Sequence, residues 1–172
     1  AAVFIHSFAG MPELGHRLSL VAYLAGKTLF ALLMVAGART HLQPGVQPLA
    51  GPGRVAVFVA AWSLALGLGV PELWQAQLAE AALLALAFLA GGWIVLRNPR
   101  SRTSRWLGWA MVVVGLYFAW MAALILPGLW GSAAGFGVLA ATGFGEAWAE
   151  LALGLACIAV VTDQREEQLH YA

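Results

Sequence analysis

Apolar and small residues run in blocks of about twenty along this chain, separated by short polar or Pro/Gly-rich breaks. A helix needs about 20 such residues to cross the hydrocarbon core of a bilayer. On that template five complete helices are predicted: about Leu18 to Ala38, Arg54 to Val70, Leu78 to Leu96, Trp106 to Leu126 and Ala134 to Val161. The breaks carry stop signals. "THLQPGVQPLAGPGR" holds three prolines and three glycines, "VPELWQ" is a tight turn, "RNPRSRTSR" is polar and basic, and "LPGLWGSAAGFG" is Gly-rich and uncharged. No stretch alternates apolar and polar residues over about ten positions, as barrel strands would. The expected fold is all-α, a polytopic transmembrane bundle of five complete helices.

Composition agrees. Of the 172 residues 62% are hydrophobic and 10% charged, and the mean hydropathy is +0.82. Soluble domains carry about 25% charged residues, so a water-soluble globule is excluded. A net charge of +1 makes no case for nucleic acid. The single cysteine, Cys157, has no partner in the chain and reads as a small packing residue. Twenty glycines suit close helix contacts in membranes. No cleavable signal peptide is apparent. The opening "AAVFIHSFAG" reads as the tail of a helix that begins upstream, so a fragment is expected. The predicted organisation is an outer segment or helix end over 1–17, the bundle over 18–161, and a cytoplasmic helical linker over 162–172.

Positive charge sets the expected orientation. Arg39, Arg54, Arg97, Arg100, Arg102, Arg105 and Arg165 fall on one side, seven of the nine Lys and Arg residues. That side should be cytoplasmic, with the C-terminus inside and the first complete helix entering from outside. The chain is thus expected to be a multi-pass membrane protein. The cluster Arg97, Arg100, Arg102 and Arg105 reads as a topology determinant, the alternative being a site for anionic lipid head groups. Trp74, Trp106 and Trp130 fall near expected interfaces.

Charges inside the apolar runs are the candidate chemistry. Lys27 sits mid-helix, where a lysine costs about 2.5–3.5 kcal/mol on insertion scales. Glu146 and Glu150, four apart, share one helix face. Counting about 1.5 Å per residue along both helices puts Lys27 and Glu146 at one depth, so helices one and five should touch, with Lys27 facing the two acids. The cluster reads either as a buried pair that fixes helix register or as a polar core that responds to a ligand, a proton or a change in packing. Glu80, near the expected start of helix three, suits a helix N-terminus and would line an outward-facing pocket with Trp74, Gln75 and Gln77. His6, His16 and His41 fall near helix ends, which disfavours haem, and His170 lies in the tail. Trp109, Tyr117 and Trp120 on helix four read as packing or lipid contacts. Phosphate loops, metal-ligand spacings and nucleophile–base groupings are not found, so no catalytic residue, metal ligand or cofactor is assigned.

Taken together, "LSLVAYLAGKTLFALLMVAGAR", the arginine-bearing loop, the Trp-containing helices, "LILPG" and "GEAWAELALGLACIAVVTDQREEQLHYA" resemble the membrane-sensor half of bacterial diguanylate cyclases with a GGDEF output domain. "REEQLHYA" looks like the helical linker that leads into such a domain before its "HDxLTGLxNR" opening, and Lys27 matches a lysine of this sensor type. Similar modules precede histidine kinases. The resemblance implies a c-di-GMP-signalling parent in the bacterial inner membrane that works as a homodimer, with this chain as its sensing and anchoring part. The GGDEF motif and its nucleotide site are not in the sequence, so the chain itself is expected not to be an enzyme. The rival reading is a small structural or accessory subunit of a larger membrane complex.

Overall fold

The computed structural model describes residues 13–42, 51–70, 73–97, 99, 101–125, 145–146 and 148–162. They form five helices: α1, Glu13–Leu42; α2, Pro52–Gly69; α3, Leu73–Arg97; α4, Arg102–Ile125; and α5, Trp148–Thr162. Gly145 and Glu146, just before α5, are helical as well.

Local chemistry explains the boundaries. α1 is unbroken over its 30 residues, with no proline between Glu13 and Leu42. α2 starts with proline inside its first turn, where the missing N–H costs nothing. Extended Gly51 (φ −61°, ψ 155°) accepts from Arg54 N at 2.9 Å and Val55 N at 3.2 Å. α2 stops at Val70 (φ −94°, ψ 122°), directly before Pro71. Arg97 closes α3, complementing the helix dipole. α4 opens on a reciprocal cap. Ser104 N donates to Ser101 Oγ at 3.1 Å, and Ser101 N donates to Ser104 Oγ at 2.9 Å.

α3 and α4 pack most extensively, α1 lies on both α2 and α3, and α2 barely touches α3. The α3–α4 seam depends on glycine. A Cβ on Gly92 would stand 2.9 Å from Gly108 O and 3.0 Å from Val112 N, and one on Gly115 would stand 2.9 Å from Leu89 N. Backbone therefore meets backbone, the close approach that small residues allow in membranes. The main core joins Ala31 and Val35 of α1, Leu84 and Phe88 of α3, Met111 and Phe118 of α4, and Leu153 and Val160 of α5. A second cluster, Leu24, Leu66 and Ala76, ties α1 to α2 and the start of α3. Large apolar side chains face outward all round, among them Phe58, Leu86, Trp93, Val113 and Ile158. That is the surface of a bundle solvated by lipid.

Four helices, α1 to α4, are long and apolar enough to cross a membrane. α5 is apolar but shorter, at about 22 Å against a core of about 30 Å. Four of the five spans expected from the apolar runs are thus found, and among the described residues the fifth is represented by a shorter apolar helix. The stretch 134–144, counted there as the start of the fifth span, lies outside the described residues. So do Trp130, His6, Arg100, the tail 163–172 and most of the expected outer segment. α1 begins at Glu13, so residues 13–17 belong to the first long helix. α3 begins at Leu73, five residues ahead of the boundary set by apolar counting, because Trp74, Gln75 and Gln77 are accepted in its first turns.

Replacing Gly92 by Val should destabilise the bundle by about 1–3 kcal/mol, the usual cost of overpacking. Gly154→Val is the control, since a Cβ there meets nothing within 4 Å. Reversible unfolding in mixed detergent micelles should show the first loss and little change for the second.

Candidate functional site

The helix directions gather the charged side chains. Short connections make α1 antiparallel to α2, and α3 antiparallel to α4. Lys27 meets Glu146 and, farther along both segments, Met34 meets Cys157 Sγ at 3.7 Å, so α1 and α5 run the same way. Thr28 of α1 meets Glu80 of α3, and both lie well inside their helices.

Lys27 Nζ forms an ion pair with Glu146 Oε1, and both side chains are largely buried, at 15% and 14% exposed. Tyr23, one turn before Lys27, donates its hydroxyl to Glu146 Oε2 at 3.3 Å. The Lys27 ammonium also lies over the Tyr23 ring, 4.7 Å from its centroid, and 5.6 Å from that of Phe118. Both are cation–π distances. Phe118 is held by stacking on Phe88, with centroids 6.0 Å apart.

Glu80 is buried at 4% exposed. Thr28 Oγ1 donates to its Oε1 at 2.9 Å, and Trp62 Nε1 donates to its Oε2 at 2.8 Å. A buried carboxyl is tolerable when its oxygens are hydrogen-bonded, and three helices cooperate to do that here. Glu80 was expected at an outer rim, in the first turn of its helix. Because α3 starts at Leu73, Glu80 instead lies about two turns in, level with the middle of α1. It shares a cleft with Gln77, while Trp74 is not among that cleft's lining residues.

The cleft is small, about 50 Å³, and partly open. Tyr23, Lys27, Gln77, Glu80 and Glu146 supply its polar lining, and Leu24, Leu84, Phe118, Met121 and Ile125 its apolar wall. Glu150 is exposed on α5 and lines a smaller adjoining cleft with Lys27, Phe30 and Phe88. It lies within electrostatic reach of Lys27 and Tyr23. The acids that sequence reading divided between a membrane cluster and an outer pocket therefore border one site. Ser63 Oγ on α2 is buried with no hydrogen-bond partner. Among the described residues no His, Cys, Asp or Glu side chains group to hold a metal ion.

Comparison of the chain with known families, with characterised proteins and with solved structures finds no match.

Three site residues escaped the sequence reading: Tyr23, Thr28 and Trp62. Tyr23 had a signal, since it lies four before Lys27 on one helix face. Trp62 had another. It falls in the middle of an apolar run, away from the interfaces that tryptophan favours, and a buried indole N–H needs an acceptor. Thr28 had none beyond its place next to Lys27. Arg97, Arg102 and Arg105 lie at the α3–α4 turn, the same end of the bundle as Arg39 and Arg54. Trp109 and Trp120 face outward, and Tyr117 packs against Gly145 and edge-on to Phe118. Those three rings form no cage.

Lys27→Met should cost about 3–5 kcal/mol, because it leaves the buried Glu146 carboxylate without its counter-ion. Adding Glu146→Gln should restore most of that loss. Unfolding of the two single variants and the double variant in micelles measures the coupling. Equal losses in the double variant and the sum of the singles would deny it.

Proposed function

We propose that this chain is the membrane-embedded sensing and anchoring module of a bacterial signalling protein, in which α5 carries a change at the charge cluster toward a cytoplasmic output domain. One observation supports this most directly: the Lys27–Glu146 ion pair joins the helical segment leading into α5 to the middle of α1. A change in charge or occupancy at that point alters the force holding the last helix. α5 ends on the arginine-rich end of the bundle, which the positive-inside rule assigns to the cytoplasm. There Arg97, Arg100, Arg102 and Arg105 would also meet anionic head groups.

The finer reading takes the output domain to be of GGDEF type, forming c-di-GMP as a homodimer. It rests on the resemblance of "GKTLF" and "REEQLHYA" to that class of sensor. The accessory-subunit reading draws on a different observation. Glu150 is exposed on α5 beside Leu151 and Leu155, a surface that a neighbouring subunit would cover.

The test joins the chain through Ala172 to a diguanylate cyclase domain and measures c-di-GMP in cells. Lys27→Met and Glu146→Gln should each shift output by about fivefold or more, the lower range of site-to-site couplings, and the double variant should move back toward the parent. Equal output from all four at equal membrane levels would remove the signalling role and leave the accessory reading. A reporter fused at Ala172 should be active only in its cytoplasmic form.

A further inference from the structure

Between Glu80 and Glu146 the chain has no acidic residue, and its only Lys or Arg residues there are Arg97, Arg100, Arg102 and Arg105. Arg97 closes α3, and Arg102 and Arg105 lie in the first turn of α4. The side chains of Arg97, Arg102 and Arg105 are exposed, and none is ion-paired among the described residues. The positive-inside rule asks only for charge in a loop and selects no helix face for it. Here one face is selected.

On α4 the exposed positions Arg102, Arg105, Trp109, Val113, Leu116 and Trp120 recur at steps of three and four, so they form one stripe along the helix. On α3 the exposed Leu86, Trp93 and Arg97 form another. Each stripe lies about half a turn round its helix from the core-facing side chains, Phe88 and Val95 on α3 and Met111 and Phe118 on α4. The two helices meet backbone to backbone at Gly92 and Gly108, so the stripes join into one surface turned away from α1 and α5. Guanidinium groups head that surface on both sides of the seam. Trp93 is four residues from Arg97, and Trp109 is four from Arg105, so both indoles lie about 6 Å deeper than the arginines. Tryptophan favours that interfacial level. The two indole N–H groups have no acceptor among the described residues, and the ester carbonyls of a lipid would supply one.

Charge and width together select the guest. Unpaired guanidiniums call for phosphate, which arginine binds in a bidentate fork. They stand on two helices, whose axes pack about 8–10 Å apart, and the apolar surface beneath them is two helices wide. Two linked phosphates above several acyl chains match that outline better than one phosphate above two.

We propose that the outer face of α3 and α4 binds a phospholipid carrying two phosphates, one held by Arg97 and the other by Arg102 and Arg105, with acyl chains along Trp93, Trp109 and Val113. This rests on the head-group contact put forward above and narrows it to one class of lipid. It needs no output domain. Loss of signalling in the fused protein would leave it intact, and loss of lipid preference would leave the role of Lys27 and Glu146 untouched.

The full chain in dodecyl maltoside micelles is titrated with tetraoleoyl cardiolipin, dioleoylphosphatidylglycerol and dioleoylphosphatidylcholine, and bound lipid is counted by native mass spectrometry. At equal phosphate concentration cardiolipin should bind about tenfold more tightly than phosphatidylglycerol, because its second phosphate is delivered by the first. Phosphatidylcholine should bind more weakly than either. Arg97→Gln and Arg102→Gln should each weaken cardiolipin about fivefold, the contribution of one arginine near an anionic surface. Trp109→Leu should weaken it less. Arg54, exposed at the same end but on α2, is the control, and Arg54→Gln should change nothing. Equal binding of the two anionic lipids, or an equal loss from Arg54→Gln, would mean diffuse attraction to the whole end of the bundle. No preference for anionic lipid would leave the arginines to set topology alone. Each of these results overturns the proposal. Should an arginine variant fail to fold, the ranking of the three lipids on the parent chain still decides it.

Discussion

An ammonium group in the middle of a hydrocarbon-spanning helix must be paired or be driven out, and the packing of this bundle follows from that constraint. Lys27 cannot reach the head groups readily from the centre of α1, so a counter-ion has to come to it. Glu146 supplies one from the segment leading into α5. That pairing brings the start of α5 against α1, and the apolar contacts of Leu153 and Val160 with the α1, α3 and α4 core continue the same contact surface. Glu80 arrives on the other side because Thr28, next to Lys27, donates to it. Two buried acids and one base thus converge because each is worse off alone.

The two halves of the bundle hold together by different physics. α3 and α4 meet backbone to backbone across Gly92, Gly108 and Gly115, a seam with no slack for sliding. α5 is held by a modest apolar strip, a soft Met34–Cys157 contact and the ion pair. Interfaces closed by dispersion over many small contacts resist change in every direction. One held by a charge pair depends on the state of two groups. The contact of α5 with the bundle is therefore more sensitive to the charge state of the cluster than the α3–α4 seam is.

Much of the architecture was legible in the chain because hydrocarbon imposes a simple rule: twenty apolar residues, then a break. The prolines at 44, 71, 99 and 127 mark ends that the described helices respect to within a few residues. The start of α3 was misjudged because the rule counts apolarity, and Trp74, Gln75 and Gln77 look like a turn. That small slip put Glu80 in the first turn of its helix instead of about two turns in, and split one site into two. Lys27 and Glu146 could be matched by depth because both sit in long uninterrupted runs. The contribution of α2 could not, since nothing in "FVAAWSLAL" states which helix its tryptophan faces. Rotation of a helix about its axis is weakly encoded when every face is apolar.

The surplus of acids is what separates this cluster from a structural clamp. A lysine and one glutamate would hold α5 in register. The Glu80 oxygens accept hydrogen bonds from Trp62 and Thr28, on two other helices. A carboxyl braced in this way from two other helices is held in place whether or not Lys27 is charged. The bundle thus keeps a fixed acid and a paired acid facing one cleft. Burying a second carboxyl costs stability that register alone does not require, and the hydrogen bonds from Trp62 and Thr28 offset that cost.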